Sequence, residues 1–399
     1  MSRDGATDGR LDAVEESALT RAWRPRFRTL VFLGALAALG ALYAYDLVVL
    51  AANDPLVDVW PWPFEPWDPT RLDWLFAVSL VVFGYLAVAP LLARPERARA
   101  RWERLREDTL ATVAGGYVAA FFLVGLLGPL LSQPTLDVAA SYQPPAFTSV
   151  DSSVTANCLG PVVEGACHGT LRYPFGTTFG GKGILAYTVA GTRVALEVAL
   201  VAAVFIVPLA TVVGTVSAYA GGRVDDVLMR VVDVVQTVPP LFAYIVVRFV
   251  LGGGGDLVLL VAVFGLLSWG NVARVVRSEA LAQREQLFVT AAESAGGGPL
   301  YVVRTHLVPN VSSTVLTATT LQVPTLVLTE AALSYLELGA PHTTSWGTII
   351  AEGTRGTQFG QFVDTWWISV FPVAALTLTV VALSVFGDAL RDVLDPRFS

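Results

Sequence analysis

One glycine-rich segment comes close to a phosphate-binding loop. It reads Gly176-Thr-Thr-Phe-Gly-Gly-Lys182-Gly183. A P-loop requires Ser or Thr directly after the Lys, because that hydroxyl binds Mg²⁺. Here that position is Gly183, which has no side chain, and no strand pattern precedes the loop. We therefore do not expect nucleotide binding at this segment.

The other reactive side chains form no enzyme-like or metal-binding pattern. The chain has three His and two Cys, and none of them forms a cluster with metal-ligand spacing. His168 beside Cys167 comes nearest, and a loop position explains it better. No Ser/His/Asp set or pair of carboxylates with suitable spacing is present. We expect no catalytic residue, no metal site and no cofactor bound by this chain.

The composition of the chain indicates that it is built from membrane helices. Of 399 residues, 54% are hydrophobic and only 15% are charged, whereas soluble domains carry about 45–50% apolar and about 25% charged residues. Disordered chains are polar and charge-rich, so disorder is excluded. The net charge of −7 leaves no general basic surface for nucleic acid. The sequence therefore predicts an integral membrane protein.

The basic residues carry a second signal. Lys182 is the only lysine among 26 basic residues. An acidic, Lys-poor chain suits a high-salt cytoplasm such as that of a halophilic archaeon. Codon bias in a GC-rich genome would produce the same pattern, and both explanations stay open.

Eight apolar segments are candidate membrane spans, since a spanning helix needs about 20 apolar residues. With the N-terminus inside, most Arg residues fall on cytoplasmic segments, as the positive-inside rule requires. This arrangement predicts a multi-pass protein of the cell membrane with both termini in the cytoplasm. The candidate spans cover residues 29–52, 74–93, 109–136, 198–222, 231–247, 257–273, 311–329 and 365–387.

Three connecting segments have a distinct composition. Residues 54–73 are rich in Pro and Trp, which predicts an interfacial loop, with a ligand-binding aromatic surface as the alternative. The Arg-rich residues 94–108 favour a solvated linker helix over a contact with anionic lipid. The long external segment 137–183 contains Cys158 and Cys167. An oxidising exterior favours a disulfide between them over free thiols.

The cytoplasmic segment 277–310 predicts two short amphipathic helices. Ser278 is a candidate N-cap of the first, and Gly296 to Gly298 should end it, because Gly readily adopts the left-handed conformation of helix C-termini. Pro299 suits the first turn of the second helix, and Pro309 should end that helix. The pair either docks a soluble partner or lies on the lipid surface.

This segment resembles the EAA loop of binding-protein-dependent ABC importers. It reads Thr290-Ala-Ala-Glu-Ser-Ala-Gly296, then nine residues, then His306-Leu-Val-Pro309. The leading Glu of the family pattern is Thr290 here, and Glu293 is the candidate substitute. His306 is typical of the oligopeptide branch. The resemblance assigns ATPase coupling to Thr290, Ala291, Ala292, Glu293, Gly296, Leu300, Val303, His306, Leu307 and Pro309.

Other stretches resemble the C-type permease of dipeptide and oligopeptide transporters. They are residues 219–233, 330–347 and 390–397, and 174–177 match as well. In the family pattern acidic residues normally follow the position of residue 177, and in this chain they are replaced by Thr178, Phe179 and Gly183. Three residues of the stretch 330–347 are candidates for the substrate pathway, Glu330, Tyr335 and Trp346, and Glu330 is one because an acid within a membrane span is by default a functional candidate. For Glu330, pairing or snorkelling near the end of its span is the alternative.

The resemblance implies an all-α membrane protein with a six-helix type I permease core and two extra N-terminal helices. The expected partners are a second permease subunit in a heterodimer, two cytoplasmic ATPases that hold ATP and magnesium, an external peptide-binding lipoprotein, and membrane lipid. Di- or oligopeptides are the expected substrate, with nickel or another small solute as the alternative. An ion-coupled secondary transporter and a membrane assembly protein are the rival classes. The predicted regions are 1–108, 109–136, 137–183, 184–391 and 392–399.

Overall fold

The computed structural model describes residues 27–49, 69–93, 95–252, 257–340, 343–354 and 362–394. Most of the Pro- and Trp-rich segment and the last residues of the tail lie outside these ranges. The chain divides into two compact units, Met1–Pro95 and Glu96–Ser399. The Arg-rich segment that we assigned to the N-terminal region therefore falls almost wholly in the second unit. Its Leu105 is buried there and packs beside the position of Gly115.

The first unit is an antiparallel pair of helices, α1 (Phe27–Val48) and α2 (Arg71–Ala93). The indole Nε1 of Trp74 donates to Asp46 Oδ2 at 3.0 Å, which gives the one acid in the apolar stretch of α1 a partner. A buried or membrane-embedded acid without such a bond would be costly. Two ring pairs also join the helices, Phe32 with Tyr85 and Tyr43 with Trp74.

The second unit is almost entirely helical. Its helices are α3 (Pro95–Glu107), α4 (Thr109–Leu131), α5 (Ile184–Ala220), α6 (Gly222–Thr237), α7 (Pro240–Val250), α8 (Leu257–Arg284), α9 (Leu287–Ser294), α10 (Pro299–Tyr335), α11 (Trp346–Thr354) and α12 (Trp367–Leu394). Short 3₁₀ turns cover Val138–Ala140 and Phe362–Thr365.

A small antiparallel sheet lies between α4 and α5. Its strands are β1 (Ser149–Asp151), β2 (Val162–Val163) and β3 (Ala166–His168), in the order β1-β3-β2. Cys158 and Cys167 are joined by a disulfide, the pairing that an external position favoured. The bond connects the central strand to the loop that precedes β2.

Seven of the described helices are long and apolar enough to cross a membrane. An eighth span requires α6 and α7 to count as one, and these two are bent by 71°. The prediction of an unbroken span over 231–247 is therefore wrong. Val238 is extended and Pro240 is the first residue of α7, because Pro disfavours helical backbone before it and cannot occupy a helix interior without a break.

Helix α5 forms the centre of the second unit. It has 37 residues, and half of the residues in its most apolar stretch are buried. It packs against α8 at Gly214, where a Cβ atom would lie 2.8 Å from the side chain of Val276. Small residues allow such close approach of membrane helices. The core of this unit is thus built on the α5–α8 contact.

Candidate functional site

Helix α9 ends in a glycine turn whose hydrogen bonds fix the direction of the chain. Gly296 has φ of +86°, its N–H donates to the carbonyl of Glu293 at 2.9 Å, and the N–H of Gly297 donates to that of Ala292 at 2.9 Å. These are the two bonds of a Schellman motif, which requires a left-handed residue after the helix. The prediction that the first helix of the hairpin ends at these glycines is confirmed.

The predicted first helix begins later than Ser278. That residue lies inside α8, which continues to Arg284, so its backbone N–H has no need of a capping side chain. The helix is interrupted at Glu285 and Gln286 instead, and α9 starts at Leu287. The N-cap prediction at Ser278 is therefore wrong, because the preceding membrane helix extends beyond its apolar segment.

The second predicted helix does not end at Pro309. It is the first part of α10, which begins at Pro299 and continues to Tyr335. A π-helical turn over Val303–Leu307 precedes the proline, and the N–H of Val308 pairs with the carbonyl of Val303. Pro lacks an N–H and its ring crowds the preceding turn. The wider π turn accommodates it without ending the helix.

The resulting hairpin, residues 287–307, has its own small core. Val289, Val302 and Leu307 are buried against one another. Leu307, one of the predicted coupling residues, is fully buried, whereas Leu300, another of them, is 78% exposed. One of these two leucines therefore packs inside the hairpin, and the other is exposed to solvent. The exposed apolar side chains of the hairpin include Leu287, Leu300 and Tyr301.

The remaining predicted coupling residues lie around this surface. Thr290 and Ala291 are exposed on α9, while Ala292 and Val303 pack against the hairpin core. The ring of His306 lies between two aromatic rings. Its centre is 6.1 Å from that of Phe288 and 5.6 Å from that of Tyr301.

Two contacts attach the hairpin and its approach to the end of α5. The hydroxyl of Tyr219 donates to Glu293 Oε1 at 3.0 Å. Arg284, the last residue of α8, donates to the carbonyl of Ala218 at 3.1 Å. Glu293, the candidate substitute for the family acid, is thus engaged within the chain, although its side chain remains exposed.

Two ion pairs join α6 to the C-terminal half of α8. Asp225 accepts from Nε of Arg277 at 2.6 Å, and Asp233 pairs with Arg274. In each pair the acid belongs to α6 and the arginine to α8. The partner comes from another helix because α6 turns its acidic residues towards α8.

The three substrate-pathway candidates lie in different environments. Glu330 is 2% exposed and accepts a hydrogen bond from the hydroxyl of Ser334 at 2.7 Å. Trp346 is buried and its Nε1 donates to the carbonyl of Thr188 at 2.9 Å. Tyr335 is 37% exposed. Of the three, only Tyr335 presents much surface in the isolated chain.

The P-loop-like segment serves as packing in this chain. The N–H of Ile184 donates to the carbonyl of Gly176 at 2.9 Å, so the loop closes on itself at the start of α5. Thr177 is buried and accepts from the N–H of Gln143 at 2.7 Å. Trp367 Nε1 donates to the carbonyl of Thr177 at 3.1 Å. These contacts tie the segment 137–183 to α5 and α12.

Sequence reasoning missed a polar cluster around Glu352 of α11. Burial raises the pKa of its carboxyl, and the hydroxyl of Thr178 and the charge of Lys182 act in the opposite direction. The ammonium of Lys182 lies 4.7 Å from the ring centre of Tyr187. The sequence around Glu352 carries no motif or periodic pattern, and only the contact between α11 and the loop reveals the cluster.

Within the described residues, no group of three or more His, Cys, Asp or Glu side chains could hold a metal ion.

Known proteins are similar to this chain over more than half of its length. A family model described as the binding-protein-dependent transport system inner membrane component matches residues 206–399. The dipeptide transport system permease protein DppC of Bacillus subtilis (strain 168) is 31% identical over 300 residues, which are 74% of this chain and 84% of that protein.

Two further relatives are oligopeptide transport system permease proteins named OppC. That of Bacillus subtilis (strain 168) is 34% identical over 224 residues, which are 56% of this chain and 71% of the relative. That of Haemophilus influenzae (strain ATCC 51907 / DSM 11121 / KW20 / Rd) is 32% identical over 252 residues, which are 63% of this chain and 77% of the relative. With its membrane helices and its glycine-bounded hairpin, the chain belongs to the family of binding-protein-dependent ABC transport permeases.

Proposed function

We propose that this chain is one of two permease subunits in an ATP-driven importer of di- or oligopeptides. Its relatives named DppC and OppC are dipeptide and oligopeptide permeases, which supports a peptide substrate. In this proposal the two permeases form the path, two cytoplasmic ATPases hold ATP and magnesium, and an external lipoprotein delivers the peptide. Both termini lie in the cytoplasm, and the protein resides in the cell membrane.

The exposed apolar surface of the hairpin is the observation that carries this proposal. Leu287 and Leu300 are 86% and 78% exposed, yet they stand on a hairpin with a buried core. A pre-formed apolar surface of this kind suits a protein partner, since exposed apolar patches mark interaction sites. We assign this surface to the ATPase.

Coupling then follows from the connections of the hairpin. Its second arm is continuous with α10, and its first arm is hydrogen-bonded to the end of α5 through Glu293 and Tyr219. A displacement of the hairpin by closure of the ATPases would therefore act on two membrane helices at once. The peptide path and the ATPase site would bias one two-state element, as allosteric coupling requires.

The test is assembly and transport by the complex with Ala291→Arg. Ala291 is exposed, so the chain itself tolerates the Arg, but a docked partner would meet a bulky charge. We expect loss of ATPase co-purification and of peptide-stimulated ATP turnover. The control is Ala100→Arg, which adds the same charge to an exposed site of α3 outside the hairpin.

Three results would contradict the proposal. Normal assembly and turnover with Ala291→Arg would remove the hairpin from the coupling path. In proteoliposomes, uptake of a labelled dipeptide should require ATP. Uptake driven by an ion gradient without the ATPases would indicate a secondary transporter, and ATP-dependent uptake of nickel but not of dipeptide would indicate the other substrate class.

A further inference from the structure

The N-terminal unit, which precedes the part matched by the family model, contains a cavity of about 240 Å³. It lies between the start of α1 and the end of α2. At about 30 Å³ per molecule, this is roughly the volume of eight waters. The residues that line it are Arg28, Thr29, Tyr85, Leu86 and Pro90.

The cavity lies at a membrane boundary. Helix α1 has 22 residues and is therefore about 33 Å long, close to the thickness of the hydrocarbon core, about 30 Å. Arg28 and Thr29 are in its first turn, so they lie at the level of the lipid headgroups. The flanking apolar residues Leu30 and Leu86 are 52% and 53% exposed, as expected of surfaces that contact acyl chains.

The cavity presents hydrogen-bond donors that the described residues leave unused. Nε of Arg28 is buried and has no hydrogen-bond partner among them. A buried charged donor without an acceptor is costly. The hydroxyls of Thr29 and Tyr85 are 3.2 Å apart and share one hydrogen bond, so the pair has one further hydroxyl proton to donate. The stacking of Tyr85 on Phe32, with ring centres 4.4 Å apart, fixes its position.

The helix that forms one wall is widened at this point. A π-helical turn covers Gly84–Val88 and is closed by the N–H of Ala89 bonding to the carbonyl of Gly84. Single π turns within α-helices are frequent at functional sites. Here the turn includes both Tyr85 and Leu86, the two residues that α2 contributes to the cavity before Pro90.

We propose that this cavity binds the phosphate group of an anionic membrane lipid. The guanidinium of Arg28 supplies the cation, since its planar donors match phosphate oxygens. The Thr29–Tyr85 pair supplies a hydroxyl donor. Free phosphate shares this chemistry, but the boundary position and the exposed apolar flanks favour the lipid. The site would anchor the N-terminal helix pair in the leaflet where the first residues of α1 lie.

The experiment measures lipid retention by the full chain, purified in detergent, using native mass spectrometry. The probes are dioleoyl phosphatidylglycerol, dioleoylglycerol, which has the same chains without phosphate, and inorganic phosphate. We expect the wild-type chain to retain phosphatidylglycerol and not dioleoylglycerol. Arg28→Gln should weaken retention at least about tenfold, because a hydrogen bond to a charged group is lost. Arg71→Gln, the same charge change at the opposite end of α2, should leave it unchanged.

Tyr85→Phe provides a second arm, since it removes the hydroxyl and keeps the stacked ring. We expect a smaller but measurable loss of retention, and this variant decides the test if Arg28→Gln lacks the helical content of the wild type by circular dichroism. Equal retention by the wild type and the folded site variants would overturn the proposal. Displacement of the lipid by millimolar inorganic phosphate would identify free phosphate as the ligand and overturn the lipid assignment.

Discussion

The hydroxyl of Tyr219 donates a hydrogen bond to Glu293 Oε1 at 3.0 Å, across 74 residues of sequence. The bond joins the end of α5, the central helix of the second unit, to α9 of the hairpin. The ring of Tyr219 also packs against the hairpin core. Motion of α9 would therefore be transmitted to α5 through a polar contact and an apolar one.

Tyr219→Phe separates these two contacts, because it keeps the ring and removes the hydroxyl. Because this hydrogen bond is exposed to solvent, we expect a stability loss of about 0.5–1 kcal/mol, normal assembly with the ATPase, and less peptide transported per ATP hydrolysed. Glu293→Gln is the matched control, since its amide oxygen still accepts the bond. A transport-to-hydrolysis ratio equal to that of the wild type in Tyr219→Phe would assign the coupling to packing alone.

Gly296→Val should misdirect the second arm of the hairpin, which is the first part of α10, although the substituted residue itself lies outside every candidate membrane helix. The left-handed conformation of Gly296, with φ of +86°, costs a non-Gly residue about 1–2 kcal/mol, and β-branching adds to this. We expect normal membrane insertion but reduced ATPase pull-down. Gly298→Val is the control, because Gly298 has φ of −69° and both positions are open to a Cβ atom. Equal pull-down by the two variants would refute the role of the turn.

Thr290→Glu should leave ATPase binding unchanged or tighten it. Thr290 is exposed on α9, and the substitution restores the acid that the family pattern places there. Thr290→Gln keeps the size without the charge and serves as the control. The measurement is the affinity of the permease complex for the ATPases in detergent. Weaker binding by Thr290→Glu alone would show that this docking surface has adapted to the absence of the acid.

The Cys158–Cys167 disulfide should stabilise the external segment. The two cysteines are nine residues apart, and the loop-closure model gives roughly 2–3 kcal/mol for such a bond. Intact-mass measurement after thiol labelling should find no reactive thiol before reduction and two after it. Labelling of two thiols in the unreduced folded protein would contradict the pairing.

Stability should fall with rising pH through the titration of Glu352. Burial raises the pKa of this carboxyl above its usual value of 4.5, so the folded protein retains a proton that the unfolded chain releases. The stabilisation is complete below the usual carboxyl pKa and is lost as pH rises through the folded-state pKa.

Glu352→Gln removes this titration. Its unfolding temperature in detergent should exceed that of the wild type at pH 8, and the two should converge near pH 4. Lys182→Met should enlarge the pH dependence of the wild type, because Lys182 opposes the upward shift of the pKa. A constant difference between Glu352→Gln and the wild type across this pH range would remove Glu352 as the cause.

The sequence alone determined the class of fold and the position of the hairpin. Apolar segments of membrane length, basic residues on alternate loops and the glycines at 296–298 are local properties, and each follows from the chemistry of a few consecutive residues. The same holds for the family resemblance, whose motifs lie in short stretches. These features needed no knowledge of which helices touch.

The tertiary structure decided where the helices end and which apolar side chains stay exposed. Pro309 predicts the end of a helix, but a π-helical turn before it allows α10 to continue. Leu307 and Leu300 are equally apolar, yet Leu307 is buried and Leu300 is exposed. Glu293 is hydrogen-bonded to Tyr219, and Arg28 lines the cavity of the N-terminal unit. Both features depend on contacts between residues that are distant in sequence. Burial and pairing depend on the packing of one helix on another, which periodicity along a single segment does not specify.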